Sequence, residues 1–385
     1  MTYLEEYSYK LNIDRLIRNF FNILRIKSIS KNERELFSYV KNEFESLGIK
    51  VFEDECGGKF GGNTGNLIAT YIPKIIKNNP PIFLSGHLDT VWHEEAIEPE
   101  IVEGKVINRN KNEILGSDDK AAIAAISEVL KILVENNVPT GIIYIVLSVG
   151  EELALFGSRY LDMSLIDAQY GFVFDSDGDI GTIINKAPFH NRINFKIKGK
   201  ASHAGVSPEK GINSIKSAAL AISNINSGRI DEETTCNIGI IRGGVETNIV
   251  PEITEVQTEA RSMNVDKLNK VTNEIIKEFK KASEITGTRL EYEILREYDG
   301  YEISSDSITV KIAEYALKKI GIKAKIKSTG GGSDTNNFNF KGKLAVNLSS
   351  GIENCHSKEE YIKVEELGKL VKLIIEICRF NKEEI

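Results

Sequence analysis

Short apolar runs alternate with helix-like segments over much of this chain, and that alternation constrains its fold more than any other feature. Such an order favours an α/β architecture, a mostly parallel sheet with helices packed on both faces. The strand-like runs lie at 66–72, 81–85, 142–149, 170–174 and 343–348, and the helical segments at 13–26, 30–48, 307–320 and 363–380, with a further helix after Asp119.

The pattern changes in the middle of the chain. "RINFKIKGKAS" (192–202) alternates apolar and polar residues, as a half-exposed strand does. The segments after it follow the order β-α-β-β-α-β, which resembles a ferredoxin-like α+β sandwich. A chain of 385 residues also exceeds the size at which one core keeps growing. We therefore predict a discontinuous larger domain, residues 1–186 and 298–385, and an inserted domain, residues 187–297.

The composition argues against several classes of partner. A formal net charge of −7 disfavours nonspecific binding to nucleic acid or to anionic membranes. The N-terminal segment carries acids where a signal peptide requires basic residues, so we expect no signal peptide. The longest apolar stretch, 121–134, is short and is interrupted by Glu128 and Lys131, so we expect no transmembrane span there. The four cysteines lack CxxC spacing, which is typical of reduced thiols. We expect a cytoplasmic protein.

Two local patterns predict the boundaries of helices. Ser30 and Glu33 stand in capping-box register ahead of the second helical segment. "GGGSDTNNF" (330–338) is typical of a loop. The backbone N–H groups of "STGGGSDTNN" (328–337) could hold an anion, although a glycine run alone is weak evidence.

Polar side chains follow the predicted strands of the larger domain where those strands end. Parallel strands of an open α/β sheet present their carboxyl ends at one edge, so residues distant in sequence can meet there. All of these residues are of types that ligate metals: His87 and Asp89 after 81–85, Glu151 and Glu152 after 142–149, Asp175 after 170–174, and His356 after 343–348.

Asp118 and Asp119 stand at the predicted start of a helix on the same edge. Acids in a first turn commonly cap a helix and complement its dipole, which explains one of the two acids comfortably. Because all four strand ends carry ligand-type groups, we interpret Asp118 as a metal ligand.

Two imidazoles and three carboxylates suit a pair of borderline-soft ions such as Zn²⁺, Co²⁺ or Mn²⁺, with one carboxylate bridging. Mg²⁺ and Ca²⁺ favour oxygen-only shells. Asp89, two residues after His87, is placed to orient that imidazole. One of Glu151 and Glu152 is then left over, and a spare carboxylate beside metal-activated water is a general base. The signatures GxSxG, HExxH, GxGxxG and GxxxxGK[ST] are missing from the sequence.

Eight segments, in this order, resemble peptidase T-like members of the di-zinc exopeptidase family, which also includes carboxypeptidase G and the aminoacylases. The resemblance extends from about residue 10 to the C-terminus, and the set is much more specific for the family than for a substrate. The segments are "GHLDTV", "GSDDKAA", "GEELALFGS", "FDSDGDIG", "KASHAGVSPEKGIN", "TNIVPE", "EARS" and "GGGSDTN".

The resemblance implies a role for each ligand-type residue of the larger, catalytic domain. The implied ligands are His87 and Asp175 on one metal, Glu152 and His356 on the other, and Asp118 as the bridge. Glu151 would be the general base that takes a proton from the metal-bridged water and hands it to the leaving amine. Within "FDSDGD" we choose Asp175 over Asp177, because Asp175 directly ends the strand. In relatives the peptide bond after the bridging Asp is cis.

For the inserted domain, the resemblance implies a dimerisation lid and hence a homodimer. His203, within "SHAG", would reach the partner subunit's site and stabilise the oxyanion. Asn248 and Arg261 would hold the substrate, and the planar guanidinium of Arg261 suits a terminal carboxylate. The loop that contains Gly331 and Gly332 would line the same pocket.

Together these features predict a metal-dependent aminopeptidase that removes the N-terminal residue of short peptides, tripeptides in particular. The alternative is the same mechanism on N-acyl amino acids or other small amides, because no residue identifies a partner for a free α-ammonium. A metal-free binding protein is disfavoured, because all five ligands and Glu151 are present. Of the other histidines, His93 is a candidate substrate contact, and His190 is expected to have a structural role.

Overall fold

The structure is a computed structural model that describes residues 10–384. Residues 1–9 and 385 lie outside the described residues, and so does much of the segment on which the expectation of no signal peptide rests. Within residues 10–384, no helix combines the length and the apolar character needed to cross a membrane.

The described residues form the following helices and strands, numbered in chain order. The helices are α1 (Ile13–Arg25), α2 (Arg34–Ser46), α3 (Ser117–Glu135), α4 (Phe156–Tyr160), α5 (Ser214–Ser223), α6 (Val265–Thr286), α7 (Ile308–Lys319), α8 (Asp334–Phe340) and α9 (Val364–Arg379). The strands are β1 (Lys50–Glu53), β2 (Leu67–Tyr71), β3 (Ile82–His87), β4 (Pro99–Val102), β5 (Lys105–Asn108), β6 (Ile143–Ser148), β7 (Tyr170–Ser176), β8 (Thr182–Ala187), β9 (Phe189–Lys198), β10 (Gly228–Asp231), β11 (Thr234–Gly243), β12 (Ile253–Ser262), β13 (Arg289–Tyr298), β14 (Tyr301–Glu302), β15 (Lys325–Ser328), β16 (Leu344–Ser349), β17 (Ile352–Glu353) and β18 (Tyr361–Lys363).

The chain divides into two compact units. The large unit comprises the residues up to Asn185, Glu302–Ser328 and the residues from Ser333 onward. The inserted unit comprises Lys186–Tyr301 and Thr329–Gly332.

The sheet of the large unit has the order β1-β2-β6-β3-β7-β16-β8-β14, with β15 pairing β8. Its central pairs β6–β3, β3–β7 and β7–β16 are parallel. Strand β2 pairs with β6, and β8 with β16, in the antiparallel direction. Every residue of β3 is buried, as expected for a strand covered on both faces. The apolar α3 is buried along most of its length and packs against β3, α1 and α9. A mostly parallel α/β sheet is therefore confirmed. A smaller sheet, β17-β18-β5-β4, was not predicted.

The inserted unit is an antiparallel sheet in the order β10-β11-β12-β9-β13. Side chains of β9 alternate between buried and half-buried, which matches the period-two pattern of its sequence. Helices α5 and α6 contact each other and the sheet, and the rings of Phe195 and Phe279 stack with centroids 3.8 Å apart. The order β-α-β-β-α-β is confirmed, with β10 as an added edge strand.

Two boundary predictions are wrong. Helix α2 begins at Arg34 without a side-chain cap, because the Ser30 hydroxyl donates instead to Asp89 Oδ2 at 2.7 Å. Helix α8 begins at Asp334, inside the segment predicted as a loop. There the Ser333 side chain and Asn336 form a capping box, which satisfies the first N–H groups of a short helix built from small polar residues.

Candidate metal centre

The parallel strands bring four chain segments to one edge of the large sheet. Strands β6, β3, β7 and β16 are consecutive neighbours, so their carboxyl ends lie side by side. The residues of metal-ligand type lie at or after these strand ends: His87 ends β3, Glu151 and Glu152 follow β6, Asp175 lies near the end of β7, and His356 follows β16 and β17.

Two groups of side chains at this edge could each hold a metal ion. His87, Asp118 and Asp175 form the first group, and Asp118, Glu152 and His356 form the second. Within each group the potential ligand atoms all lie within 4.8 Å of one another. The two groups share Asp118, which stands in the first turn of α3.

The two oxygens of Asp118 face different imidazoles. Oδ1 lies 3.2 Å from His87 Nε2, and Oδ2 lies 3.1 Å from His356 Nε2. His356 Nε2 also lies 2.7 Å from Glu152 Oε1, and His87 Nε2 lies 3.9 Å from Asp175 Oδ1. A carboxylate with one oxygen in each group has the arrangement required of a bridging ligand.

The charges at this edge fit divalent cations. Burial and the nearby Asp175 charge raise the pKa of Glu151 well above its usual value, and burial and the Asp118 charge do the same for Asp175. Hydrogen bonds with Asp118 and Glu152 raise the pKa of His356 to about 10. Buried carboxylates without enough positive charge are costly, and bound divalent cations would compensate them. The six acids concerned are Asp118, Asp119, Glu151, Glu152, Asp175 and Asp334.

Asp89 is buried and connects two segments of the site. The closest partner of His87 Nδ1 is the backbone carbonyl of Asp89 at 2.9 Å, whereas the Asp89 carboxylate lies 3.5 Å away. That carboxylate instead accepts hydrogen bonds from the N–H groups of Glu151 at 3.0 Å and Glu152 at 3.2 Å. The expected orienting contact to His87 is therefore made mainly by the main chain, and the side chain holds the loop after β6.

Asp119 lies beside the two groups and belongs to neither. The peptide bond between Asp118 and Asp119 is cis. Asp119 Oδ2 accepts the N–H of His87 at 3.2 Å. A Cβ atom at Gly86 would stand 2.4 Å from that same oxygen, so the "GH" of "GHLDTV" requires glycine for close approach.

Asp177, Asp179 and His93 of the large unit lie outside the two candidate metal groups. Asp177 and Asp179 are exposed, and Asp179 pairs with Lys363 at 2.9 Å. The structure thus brings Asp175, and not Asp177, to His87. His93 is only 1% exposed and its Nδ1 contacts the Glu95 carbonyl at 2.9 Å, which leaves no surface for a substrate.

Three buried acids near the centre were not predicted from the sequence. Glu33 Oε1 accepts the N–H of Gly150 at 3.0 Å, in the loop that carries Glu151. Asp334 makes a short hydrogen bond with Ser148, and Glu360 binds the loop before Asp118. These contacts involve backbone N–H groups or distant hydroxyls, so no spacing in the sequence signals them.

In the inserted unit, the segments of His203 and Asn248 lie side by side. The N–H of Ala204 donates to the Asn248 carbonyl at 2.9 Å, and His203 pairs with Ile249 in a β-bridge. Both His203 and Asn248 are exposed. The only side-chain hydrogen bond described for His203 is from the N–H of Gly205 to Nδ1, at 3.2 Å.

Arg261 lies on β12 of the inserted unit, in an ionic cluster. Its guanidinium donates to Glu259 at 3.0 Å, and Glu259 also lies 3.2 Å from His190 Nε2. The His190 ring packs 5.1 Å from that of Tyr298, in keeping with the structural role expected of it.

Gly331 and Gly332, which are proposed to line a pocket, differ in the space around their Cα atoms. A Cβ atom at Gly332 would meet the Tyr298 ring at 2.2 Å, so packing alone requires glycine there. A Cβ atom at Gly331 would make only an ordinary van der Waals contact, 3.8 Å from Thr329 Oγ1, and the Gly331 N–H donates to that same oxygen at 3.2 Å.

A mostly parallel α/β sheet with two imidazole–carboxylate groups at one edge, in a chain with an inserted ferredoxin-like unit, is the combination expected of a metallopeptidase of the exopeptidase class. Residues 190–286 match the peptidase dimerisation domain, and residues 66–185 match peptidase family M28.

Three similar proteins cover nearly the whole chain. The uncharacterized protein YqjE of Bacillus subtilis is 40% identical over 95% of this chain and 98% of its own. The crystal structure of aminopeptidase PepT from Bacillus cereus is 37% identical, with a TM-score of 0.85, over 96% of this chain and 98% of its own. That of a tripeptidase from Staphylococcus aureus is 34% identical, with a TM-score of 0.89 and the same coverage. The chain belongs to the peptidase T-like M20 metallopeptidases, and the predicted family is confirmed.

Proposed function

We propose that this peptidase is a metal-dependent aminopeptidase that removes the N-terminal residue of short peptides, tripeptides in particular. It would use two divalent ions per subunit, Zn²⁺ foremost, with Co²⁺ or Mn²⁺ as substitutes. The observation that carries the proposal is the position of Asp118, with one carboxylate oxygen against each histidine-containing group. The names of two similar structures, an aminopeptidase and a tripeptidase, support the substrate class.

Five residues would hold the ions. His87 and Asp175 would offer a nitrogen and an oxygen ligand to one ion, His356 and Glu152 would do so for the other, and Asp118 would contribute to both. When bound, two such ions would polarise the scissile carbonyl and lower the pKa of water enough for attack near neutral pH.

Glu151 is suited to move the proton. It belongs to neither ligand group, it is 8% exposed, and the Asp89 carboxylate fixes its backbone N–H. A carboxylate held in this way can accept a proton from the attacking water and then donate it to the leaving amine. We therefore assign Glu151 as the general base and Asp89 as the residue that holds its loop.

The inserted unit would complete the site in a homodimer. We assign His203 as a hydrogen-bond donor to the developing oxyanion in the partner subunit's site, and Asn248 and Arg261 as substrate ligands, with Gly331 and Gly332 beside them. The match to a peptidase dimerisation domain and the exposure of His203 support this assignment. Arg261 suits the terminal carboxylate of a peptide, because its guanidinium can pair with it bidentately.

A matched set of substrates tests the proposal. The metal-reconstituted protein is given a tripeptide, its N-acetylated form, the corresponding dipeptide and an N-acetyl amino acid, each with and without a chelator. The proposal expects cleavage of the free tripeptide alone, with release of its first residue, and loss of that activity with chelator. Preference for the acetylated compounds would contradict the aminopeptidase assignment and identify an acylase with the same metal centre.

A further inference from the structure

Glu360 lies four residues after His356 and is buried, with 3% of its surface exposed. Its carboxylate points into the loop before α3 and binds backbone N–H groups and one hydroxyl there. It accepts hydrogen bonds at Oε2 from the N–H groups of Leu115 (3.0 Å) and Gly116 (2.9 Å), and at Oε1 from the N–H groups of Ser117 (2.7 Å) and Asp118 (3.3 Å) and the Ser117 hydroxyl (2.6 Å).

This loop depends on an acceptor from elsewhere in the chain. The residue before α3 is Gly116, in the left-handed conformation at φ 67°, and it has no side chain to cap the helix. Asp118 itself has an extended backbone, with φ −78° and ψ 109°. Four successive N–H groups therefore converge on one carboxylate, and that convergence fixes the direction in which the Asp118 side chain leaves the backbone.

We propose that Glu360 is a positioning residue of the metal centre. By holding the backbone of residues 115–118, it aims the two oxygens of Asp118 at His87 and His356 and thereby sets the affinity for both ions. The inference rests on the proposed function only in that the ions bind at Asp118. Segment 356–360 thus provides one ligand, His356, and also the group that orients the shared one.

Two substitutions of Glu360 distinguish the effect of its hydrogen-bond acceptors from the effect of its side-chain volume. Glu360→Gln is nearly isosteric, but its amide group offers one acceptor oxygen and places N–H donors against N–H donors. Glu360→Asp keeps the charge but is one methylene shorter, so it reaches only part of the loop. We expect metal affinity to be highest in the parent, lower in Glu360→Asp and lowest in Glu360→Gln.

Glu128 offers a matched control. It lies on α3, the helix whose start Glu360 binds, its side chain is 1% exposed, and it pairs with Arg15 at 2.8 Å. Glu128→Gln makes the same chemical change at a buried acid that contacts neither metal group. It reports the loss of stability that any such change in α3 causes.

The experiment measures Zn²⁺ affinity of each purified full-length protein by competition with a chromogenic chelator, and unfolding of the metal-depleted proteins by urea. Removing the partner that orients a metal ligand typically weakens binding about 10–100-fold. We expect a loss of this size in Glu360→Gln for both ions and affinity within about twofold of the parent in Glu128→Gln.

Each outcome decides one question. Parent-like affinity in a folded Glu360→Gln protein would overturn the positioning role. If that variant does not fold, Glu360→Asp decides, since parent-like affinity there would equally overturn it. A parent protein that binds no divalent ion would instead contradict the proposed function and not the role of Glu360 specifically.

Discussion

The two units of this protein hold their candidate functional groups in contrasting ways. In the large unit, His87 and Glu151 are at least nine-tenths buried, and hydrogen bonds from separate segments fix the loops that carry them. His356 differs from these two, because its side chain is 49% exposed. In the inserted unit, His203 and Asn248 are exposed and contact their own backbone neighbours. The large unit thus brings its candidate metal ligands together at one edge of its sheet, whereas the candidate residues of the inserted unit are exposed to solvent.

The largest expected effect follows from the residue shared by both metal groups. Asp118→Asn removes the charge from a carboxylate that contacts both His87 and His356. We expect both ions to bind more than about 100-fold more weakly, because losing a ligand costs more affinity than losing a residue that orients one. Activity should be lost with the ions. Metal content after dialysis measures this. Loss of one ion with retention of the other would contradict the bridging role.

Glu151→Gln should separate catalysis from metal binding. Because Glu151 is in neither ligand group, the variant should keep the parent's metal content. Turnover should fall at least about 100-fold, since general acid–base catalysis contributes that much or more. Steady-state kinetics and metal analysis on the same preparation check both parts. A protein that loses metal would make Glu151 a ligand.

His203→Ala tests whether the exposed residue of the inserted unit acts in the partner. We expect activity to fall about 100–1,000-fold with metal content unchanged, as for loss of one oxyanion donor. Mixing this variant with Glu151→Gln under conditions of subunit exchange should restore about a quarter of the parent activity. Half of the dimers are then mixed, and each mixed dimer has one complete site. No recovery on mixing would contradict an intersubunit role.

The smallest effect concerns the ionic cluster of the inserted unit. Hydrogen bonds with His190 and Arg261 lower the pKa of Glu259 to about 2 from its usual 4.5. A lowered carboxyl pKa stabilises the folded state above pH 4.5, and that contribution is lost as the pH falls towards 2. We expect Glu259→Gln to flatten the dependence of unfolding on pH between these values, by less than about 1 kcal/mol because the group is partly exposed. Identical pH profiles for the parent and the variant in urea unfolding would refute this.

The parts of the site that follow from the sequence are those that follow from topology. Parallel strands end at the same edge, so the apolar runs followed by His87, Glu152 or Asp175 can be placed together from the sequence alone. The large-unit sheet and the inserted sandwich are predictable for the same reason, because the periodicity of each run reports its burial.

Other features depend on contacts that no local pattern encodes. Glu360 binds backbone N–H groups more than 240 residues away in the sequence. Because every residue except proline has such a group, the residue types do not reveal these donors. The Asp89 carboxylate binds the loop after β6 more closely than it approaches the His87 imidazole. Ser30 has the spacing of a helix cap, yet its hydroxyl bonds to Asp89, because a buried carboxylate is the stronger acceptor.

Anomalous diffraction from crystals of the zinc-reconstituted protein tests the central claim most directly. The proposed metal centre predicts two zinc peaks per chain, about 3.5–4 Å apart as in other two-metal sites, with one oxygen of Asp118 on each. His87 and Asp175 should contact one peak, and Glu152 and His356 the other. A single peak, or two peaks that do not share Asp118, would contradict it.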